Sequence, residues 1–426
     1  MALQVTETGG RDATTRHIPP KLALAVGMPS TAVPEGWQWS ALTELARLES
    51  GHTPSRRHPE YWEGTIPWIG IQDARAYDGG RIQDTQQHTN ELGIANSSAR
   101  VLPRNTVCLS RTASVGYAVV MGRPMATSQD FVNWVCSKDL EPRFLQYLFV
   151  AEGEDLLRFA SGSVHQTIYF PEVKGFHICH PPAHEQRRIV GILDEAFDCI
   201  ATARANAEKN LQNARALFEG HLQSVFTDKR WQWTTVGDLS DKVEYGSSAK
   251  SQKAGRMPVL RMGNIQDGRI DWEDLVYSDD KDEIEKYLLK RDDVLFNRTN
   301  SPALVGKTAI YKGEMPAIFA GYLIRIHRKE GLLDADYLNY FLNSQIALDH
   351  GKTVVTSSVN QANINGAKLK AYPIPAPPLV EQKRLVVKID ELSDESRRLE
   401  AIYQRKLAAL DELKKSLLHQ AFSGAL

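Results

Sequence analysis

The chain has 426 residues, 42% of them hydrophobic and 24% charged, enough to bury real cores and longer than one ordinary domain. Its 51 Lys and Arg against 52 Asp and Glu leave a formal charge of -1, so any nucleic-acid surface has to be a local patch and not a global basic field. Cys108, Cys136, Cys179 and Cys199 have no CxxC spacing, which argues against a structural zinc site or a disulfide framework. Neither a signal pattern nor a run of ~18 apolar residues appears, so a cytoplasmic location is expected.

Residues 1–35, rich in Thr, Pro and Gly, read as a disordered tail. From there the chain repeats itself in order. "GWQWSALTEL" at Gly36 returns as "RWQWTTVGDL" at Arg230, "IPWIGIQD" at Ile66 as "MPVLRMGN" at Met257, and "LSRTAS" at Leu109 as "FNRTNS" at Phe296. "SVHQ" at Ser163 returns as "SVNQ" at Ser358, and "PPAHEQRRIV" at Pro181 as "PPLVEQKRLV" at Pro377. The offsets drift between 187 and 196 and recover, as loop insertions and deletions around a kept framework would make them. The repeat predicts a globular domain over 36–182, a long helix over 183–228, a second globular domain over 229–378 and a second long helix over 379–426.

Each globular part alternates short apolar runs, such as "VGYAVVM" and "VLFNR", with helical stretches such as "LEPRFLQYLFVAEG" and "LDADYLNYFLNSQIALDHG". That pattern predicts a compact α/β or α+β domain whose strand order stays open. "FHICHPP" and "YPIPAPP" close the two domains; their prolines end a strand and set up the next helix.

In the second helix, positions 385, 389, 392, 396, 399, 403, 406, 410, 413 and 417 form a seam that is apolar except at Ser396 and Lys406. The same positions shifted back by 196 give Ile189, Leu193, Ala196, Ile200, Ala203, Ala207, Asn210, Ala214, Leu217 and His221. One seam is Leu-rich and the other Ala-rich, which suits pairing between them. Periodicity by itself also fits an ordinary core hairpin or a homodimerisation coil. The duplication favours an intramolecular, antiparallel coiled-coil pair about a pseudo-two-fold axis, with a globular domain at each end. About forty residues at ~1.5 Å each make a rod of roughly 60 Å.

Catalytic signatures are missing. The double prolines stand in His180-Pro181-Pro182-Ala183 and Ala376-Pro377-Pro378-Leu379, without the polar first residue and the aromatic of an adenine-methyltransferase loop. A glycine-rich cofactor loop and a Walker A loop are absent from the sequence, and His184-Glu185 has no second His to complete a zinc helix. The chain is therefore expected to be no enzyme, with no catalytic or metal site. Glu185 and Glu381 read as complements to the positive N-termini of their helices.

"GSVHQTIYFPEVKGFHICHPPAHEQRRIVGILDEAFDCI", echoed by "SSVNQANINGAKLKAYPIPAPPLVEQKRLVVKIDELSDES", resembles the end of a target-recognition domain and the helix of type I restriction-modification specificity (S) subunits. The opening "GWQWSALTELARLESGHTPSRRHPEYWEGTIPWIGIQD" is similar to that family's domain start, and the resemblance spans 34–426. It implies two target-recognition domains, each reading half of an interrupted sequence of double-stranded DNA. It further implies helices that hold the spacing and bind two methyltransferase (M) subunits, to which restriction (R) subunits attach. S-adenosylmethionine would then sit in the methyltransferase partner, and ATP and Mg in the restriction partner. The second copy departs from the pattern by lacking the "PEYWEG" insertion. A non-catalytic coiled-coil adaptor that binds proteins is the alternative reading.

Two copies that read different half-sites should share scaffold and differ at readers. Arg111, Thr112, Gln166, Arg298, Thr299 and Gln361 are shared and read as framework or phosphate contacts, Arg111 and Arg298 first among those for phosphate. Copy-specific candidates are Arg56, Arg57, His58, Gln72, Arg75 and His165 in the first domain. In the second they are Lys250, Lys253, Arg256, Asn264, Gln266, Asn300, Asn360 and Asn363. Arg suits bidentate bonds to guanine, and Asn or Gln suits adenine. Glu185, Gln186, Glu381 and Gln382 are candidates for capping the helices or docking partner subunits.

Overall fold

The computed structural model describes residues 23–24, 33–112, 114–162, 166–301, 304–358 and 361–426. They fall into two compact units. The first combines residues up to 205 with 407–426, and the second is 206–406. Each unit therefore holds one globular domain, part of its own long helix and part of the other copy's.

In the first unit a five-stranded sheet runs in the order Ala46–Ser50, Phe131–Cys136, Val107–Ser110, Ala118–Met121, Arg81–Ile82. The first three pairings are antiparallel and the last is parallel, with Cys136 opposite Ala46 and Arg81 opposite Val120. The second unit repeats that order with Ser240–Tyr245, Leu323–Arg328, Asp293–Asn297, Thr308–Tyr311 and Gly268–Ile270, again ending on a parallel pair, and adds Ile265–Gln266 at the edge. A smaller sheet repeats too: Gln87–Thr89, Ile66–Ile69, Ala126–Thr127 in one unit and Val276–Ser278, Met257–Leu260, Ile318–Phe319 in the other. The duplication read from motifs is thus a duplication of strand order and polarity.

Near-continuous apolar runs explain the central strands, which are buried on both faces: Val107–Ser110 and Ala118–Met121 are covered throughout. Gly51 and Gly246 follow the first strand of each large sheet. A Cβ there would lie 1.8 Å from the Ser128 carbonyl oxygen and 2.5 Å from that of Ala320, so both copies need glycine for the same close approach. The helical stretches expected from the sequence appear as Pro142–Glu152, with Pro at its first position, and as Ala335–Leu342 and Gln345–Val354, capped by Asp334 and Ser344. Ala23–Leu24, inside the segment expected to be a tail, lie buried as a strand parallel to His177–His180; the rest of 1–32 is outside the described residues.

The two long helices run Ala183–Phe226 and Leu379–Ser423, each starting directly after its double proline. They pack together antiparallel within each unit. In the first unit Leu418, Ala421 and Phe422 share a core with Ile189 and Leu193, Arg204 pairs with Asp411, and Arg188 Nη2 donates to the Leu426 carbonyl at 2.7 Å. In the second, Leu222, Val225 and Phe226 share a core with Val386 and Ile389, and Arg215 meets Glu400 at 2.8 Å. Phe422 packs tilted against Phe144 of the first domain, and Phe226 edge-on against Tyr337 and Phe341 of the second, so each domain is closed by the far end of the other copy's helix.

The seam itself differs from the expected one. Beyond Ile200 the inward positions are Arg204, Ala207, Leu211, Ala214 and Phe218, while Ala203, Asn210 and Leu217 face solvent, Leu217 at 62% exposure. In the second helix Val386, Ser393, Glu400 and Lys414 turn inward as well; of the expected positions Leu385, Leu392 and Leu399 stay half-buried, Leu385 against the second core, and Leu413 is exposed. A strict seven-residue repeat averages 3.5 residues per turn whereas the helix makes 3.6, so the buried stripe drifts by one position along so long a helix. Ser396 stays inside, where its hydroxyl donates to the Ala214 carbonyl at 3.0 Å. Among the described residues no helix is long and apolar enough to cross a membrane.

Candidate nucleic-acid interface

The glutamines of the repeated PPxxEQ phrase are 0% exposed, and each is a hub for three hydrogen bonds. Gln186 Oε1 accepts from the Glu141 amide at 2.8 Å, and its Nε2 donates to the carbonyls of Asp139 and Pro181 at 3.0 and 2.9 Å. Gln382 does the same with the Asp334 amide and the carbonyls of Leu332 and Pro377, all at 2.8 Å. Each side chain therefore ties the proline corner and the start of the long helix to the start of the domain helix. As partner-docking candidates Gln186 and Gln382 are overturned: no partner can touch a fully buried, fully bonded amide. Glu185 and Glu381 stay at the surface in the first helical turn. They pair with Arg188 at 2.6 Å and Arg384 at 3.1 Å; the hydrogen bond from Arg188 holds the Glu185 carboxyl below its ordinary pKa.

Arg111 and Arg298 occupy equivalent places down to their partners. Arg111 receives Ile168 N at its carbonyl and donates its own amide to Asp130, while Arg298 makes the same bonds with Ile364 and Tyr322. Arg111 Nη2 donates to the Gln129 carbonyl at 3.1 Å and its guanidinium lies 5.0 Å from the Phe170 ring. Arg298 Nη1 donates to the Gly321 carbonyl at 3.3 Å and its guanidinium lies 4.9 Å from the Tyr245 ring. Both are half-buried, and desolvation lowers the pKa of Arg111. These are scaffold bonds first, linking the end of one strand to the start of another. Thr112, half-buried, bridges to Thr167; Thr299, buried at the matching position, accepts the Asn363 amide at 2.8 Å.

Among the copy-specific candidates Asn264 is a correction. It is 3% exposed, accepts the Arg261 amide at 2.9 Å and donates to the carbonyls of Asp271 and Glu273 at 2.9 Å, so it shapes a turn and has no edge left for a base. Asn300 accepts the Ser301 amide at 2.8 Å. Gln266 is exposed and bridges Lys307 Nζ at 3.1 Å to the Gly263 carbonyl at 3.0 Å. Lys250, Lys253 and Arg256 form an exposed basic run. His165 and Asn360 lie outside the described residues, as does the side chain of Gln361, whose backbone pairs in the strand Gln361–Asn363.

The first domain brings some of its candidates together. The Arg56 guanidinium sits 3.8 Å over the Trp62 ring and donates to Gln87 Oε1 at 2.7 Å, and Trp62 meets Trp68 edge-on at 5.0 Å. His58 stacks on Tyr61 at 4.8 Å and meets Glu60 at 2.9 Å. This knot is made by the insertion that the second copy lacks. It preorganises one cation on an aromatic base. Arg75 Nε donates to the Tyr117 hydroxyl at 3.1 Å, while Arg57, Gln72 and Gln166 are exposed. Trp62, Gln87 and the exposed Tyr245 and Tyr322 were not singled out from the sequence, although "PEYWEG" carried the signal for Trp62. Two further pairs were missed: Tyr147 with Asp194 and Tyr340 with Asp390, each a domain-helix tyrosine bonded to a long-helix carboxylate. Their signal was the repeat itself, since both tyrosines and both aspartates recur at matching positions.

Comparison with known proteins fits this geometry. The model of the type I restriction modification DNA specificity domain matches residues 34–212 and again 228–405. The MjaIX specificity subunit of Methanocaldococcus jannaschii is 27% identical over 263 residues, 55% of this chain and only 60% of that relative's length. The StySPI specificity subunit of Salmonella potsdam is 27% identical over 427 residues, 92% of this chain and 90% of the relative. A solved chain from work on complex assembly and conformational transition of the type I R-M system has the same fold, with a TM-score of 0.74 at 20% identity over 93% of this chain and all of that one. With two matched copies covering most of its length, the chain belongs to the type I restriction-modification DNA specificity family.

Proposed function

We propose that the chain is the sequence-specific DNA-binding subunit of a type I restriction-modification complex, each globular domain reading one half of an interrupted duplex target. The observation that carries this reading is the pair of domains with one strand order, one hinge and one arginine tie, but different exposed polar loops: Arg56 on Trp62 with Arg57 and Arg75 in the first, Lys250, Lys253 and Arg256 in the second. Shared scaffold with divergent surface is what two readers of unlike half-sites require.

The paired helices set the separation of the half-sites and dock two methyltransferase subunits, and restriction subunits join through these. On the second unit the helix start leaves Val380 exposed beside a cleft of about 450 Å³ lined by Trp231, Leu332, Pro377, Pro378 and Leu379, surface for such a partner now that Gln382 is buried. The chain itself carries no catalysis. A methyltransferase partner, holding S-adenosylmethionine, takes the target base out of the stack, and the restriction partner uses ATP and Mg. The complex works in the cytoplasm.

The test is co-purification with the products of neighbouring genes and methylome sequencing of a host with and without the chain. Loss of one interrupted, adenine-methylated motif on deletion is expected. An unchanged methylome with the partners expressed sinks the reading.

A further inference from the structure

We propose that Tyr147 with Asp194, and Tyr340 with Asp390, are positioning residues that fix the orientation of each recognition domain on its long helix, and that the second pair decides how strictly the spacer length is read. The inference rests on the proposed function above. Tyr340, on the domain helix Ala335–Leu342, donates its hydroxyl to Asp390 Oδ1 at 2.5 Å, with Ser393 of the long helix also bonded to the hydroxyl and the Arg397 cation of that helix near it, though Arg397 makes no hydrogen bond to the pair. Tyr147, on Pro142–Glu152, makes the matching bond to Asp194.

The position of these bonds gives them their effect. Asp194 lies eight residues beyond Gln186, and Asp390 eight beyond Gln382, so each tyrosine bond sits about 12 Å along the helix from its glutamine hub. A single attachment at the hinge is a pivot. A second one on the same domain helix, a dozen ångströms away, fixes the direction in which the domain points. Direction matters because B-DNA turns once in about 10 base pairs, so one extra base pair between half-sites moves the second by roughly 35° and about 3.4 Å. A reader free to rock by such an angle would accept the neighbouring spacer.

The two copies are not equally secured. In the first, Arg143 Nη2 donates to Asp194 Oδ1 at 2.6 Å and to the Tyr147 hydroxyl at 2.5 Å, while its Nη1 reaches the Gly79 carbonyl at 3.0 Å. That cation grips both members of the pair and anchors them to the turn before the strand Arg81–Ile82. At the equivalent place the second copy has Asp336, which is turned to Lys312 at 2.8 Å instead. Losing one hydroxyl should therefore matter more in the second domain than in the first.

The experiment uses the full chain with its methyltransferase partners. It measures binding to duplexes that carry both half-sites at the natural spacing or one base pair longer or shorter, alongside the methylome of the host. For Tyr340→Phe the preference for the natural spacer is expected to fall about tenfold, with both half-sites unchanged and the neighbouring spacers now methylated. Tyr147→Phe, still held by Arg143, should keep the preference within about threefold. Asp390→Asn, which retains an acceptor oxygen, should behave like the natural chain. A Tyr340→Phe chain that keeps the full preference, or changes the bases read, overturns the proposal. If that variant fails to fold, Asp390→Ala takes its place: a weakened spacer preference supports the proposal and a full one overturns it. A natural chain that directs no interrupted methylated motif would sink the proposed function before any variant is made.

Discussion

At the scale of single residues, hydrogen-bond satisfaction separates scaffold from surface. Gln186→Ala and Gln382→Ala each strand a buried amide and two carbonyls, and each should cost about 2 to 3 kcal/mol in urea unfolding. Glu381→Gln removes only a surface pair and should shift stability by about 1 kcal/mol or less. Two carboxyls predict opposite pH effects. Burial pushes Glu244 up, but hydrogen bonds from Arg325 and His327 more than offset this and hold it at about 2. Between its ordinary 4.5 and about 2 only the unfolded chain takes up the proton, so the contribution of Glu244 to stability fades as pH falls through that window. Glu152 is the reverse. Burial pushes it to about 7 despite Arg158 at 2.6 Å, so the folded chain takes up a proton earlier and gains stability as pH falls from about 7 to about 4.5. Chemical unfolding followed across pH should show this gain in the first unit between 7 and 4.5, opposed by His180, whose burial disfavours its protonation; in Glu152→Gln the gain should be smaller than in the natural chain.

At the scale of elements, the long helices show what a sequence pattern can and cannot locate. Their starts follow from proline chemistry, since the ring ends the preceding strand and suits the first turn of a helix. Their inward face does not follow from a fixed repeat, because the true pitch carries the stripe from Ala203 to Arg204 and from Leu217 to Phe218. Leu217→Lys should accordingly leave the unfolding free energy nearly unchanged, within about 0.5 kcal/mol. Ala214→Leu should destabilise by about 1 to 3 kcal/mol, because Ala214 is buried where Ser396 bonds to its carbonyl. Equal effects of the two substitutions would contradict the observed register.

At the scale of the whole molecule, the repeat makes the spacer a mechanical quantity. Inserting one helical turn at matched places in both long helices adds about 5.4 Å per helix and should lengthen the unspecified spacer in the methylome while leaving both half-sites intact. A change in the half-sites themselves would show that the helices do not act as spacers. Much of this architecture is legible in the chain alone, because it is carried by local chemistry repeated twice: aromatic, arginine and proline motifs at matching offsets and helix-length periodicity. The strand order is not, since Ala46 pairs with Cys136 and Ser240 with Arg328, partners 90 and 88 positions apart that no local pattern joins. The candidate readers are half legible. Composition and divergence pick out Arg56, Lys253 and Asn264 alike, yet Arg56 is exposed on Trp62, Lys253 lies exposed on the surface and Asn264 is sealed in a turn. Duplication, hinges, paired helices and family all follow from the order of residues along the chain. Which polar side chains the scaffold consumes follows only from the folded molecule, because a hydrogen bond depends on neighbours brought from far along the chain.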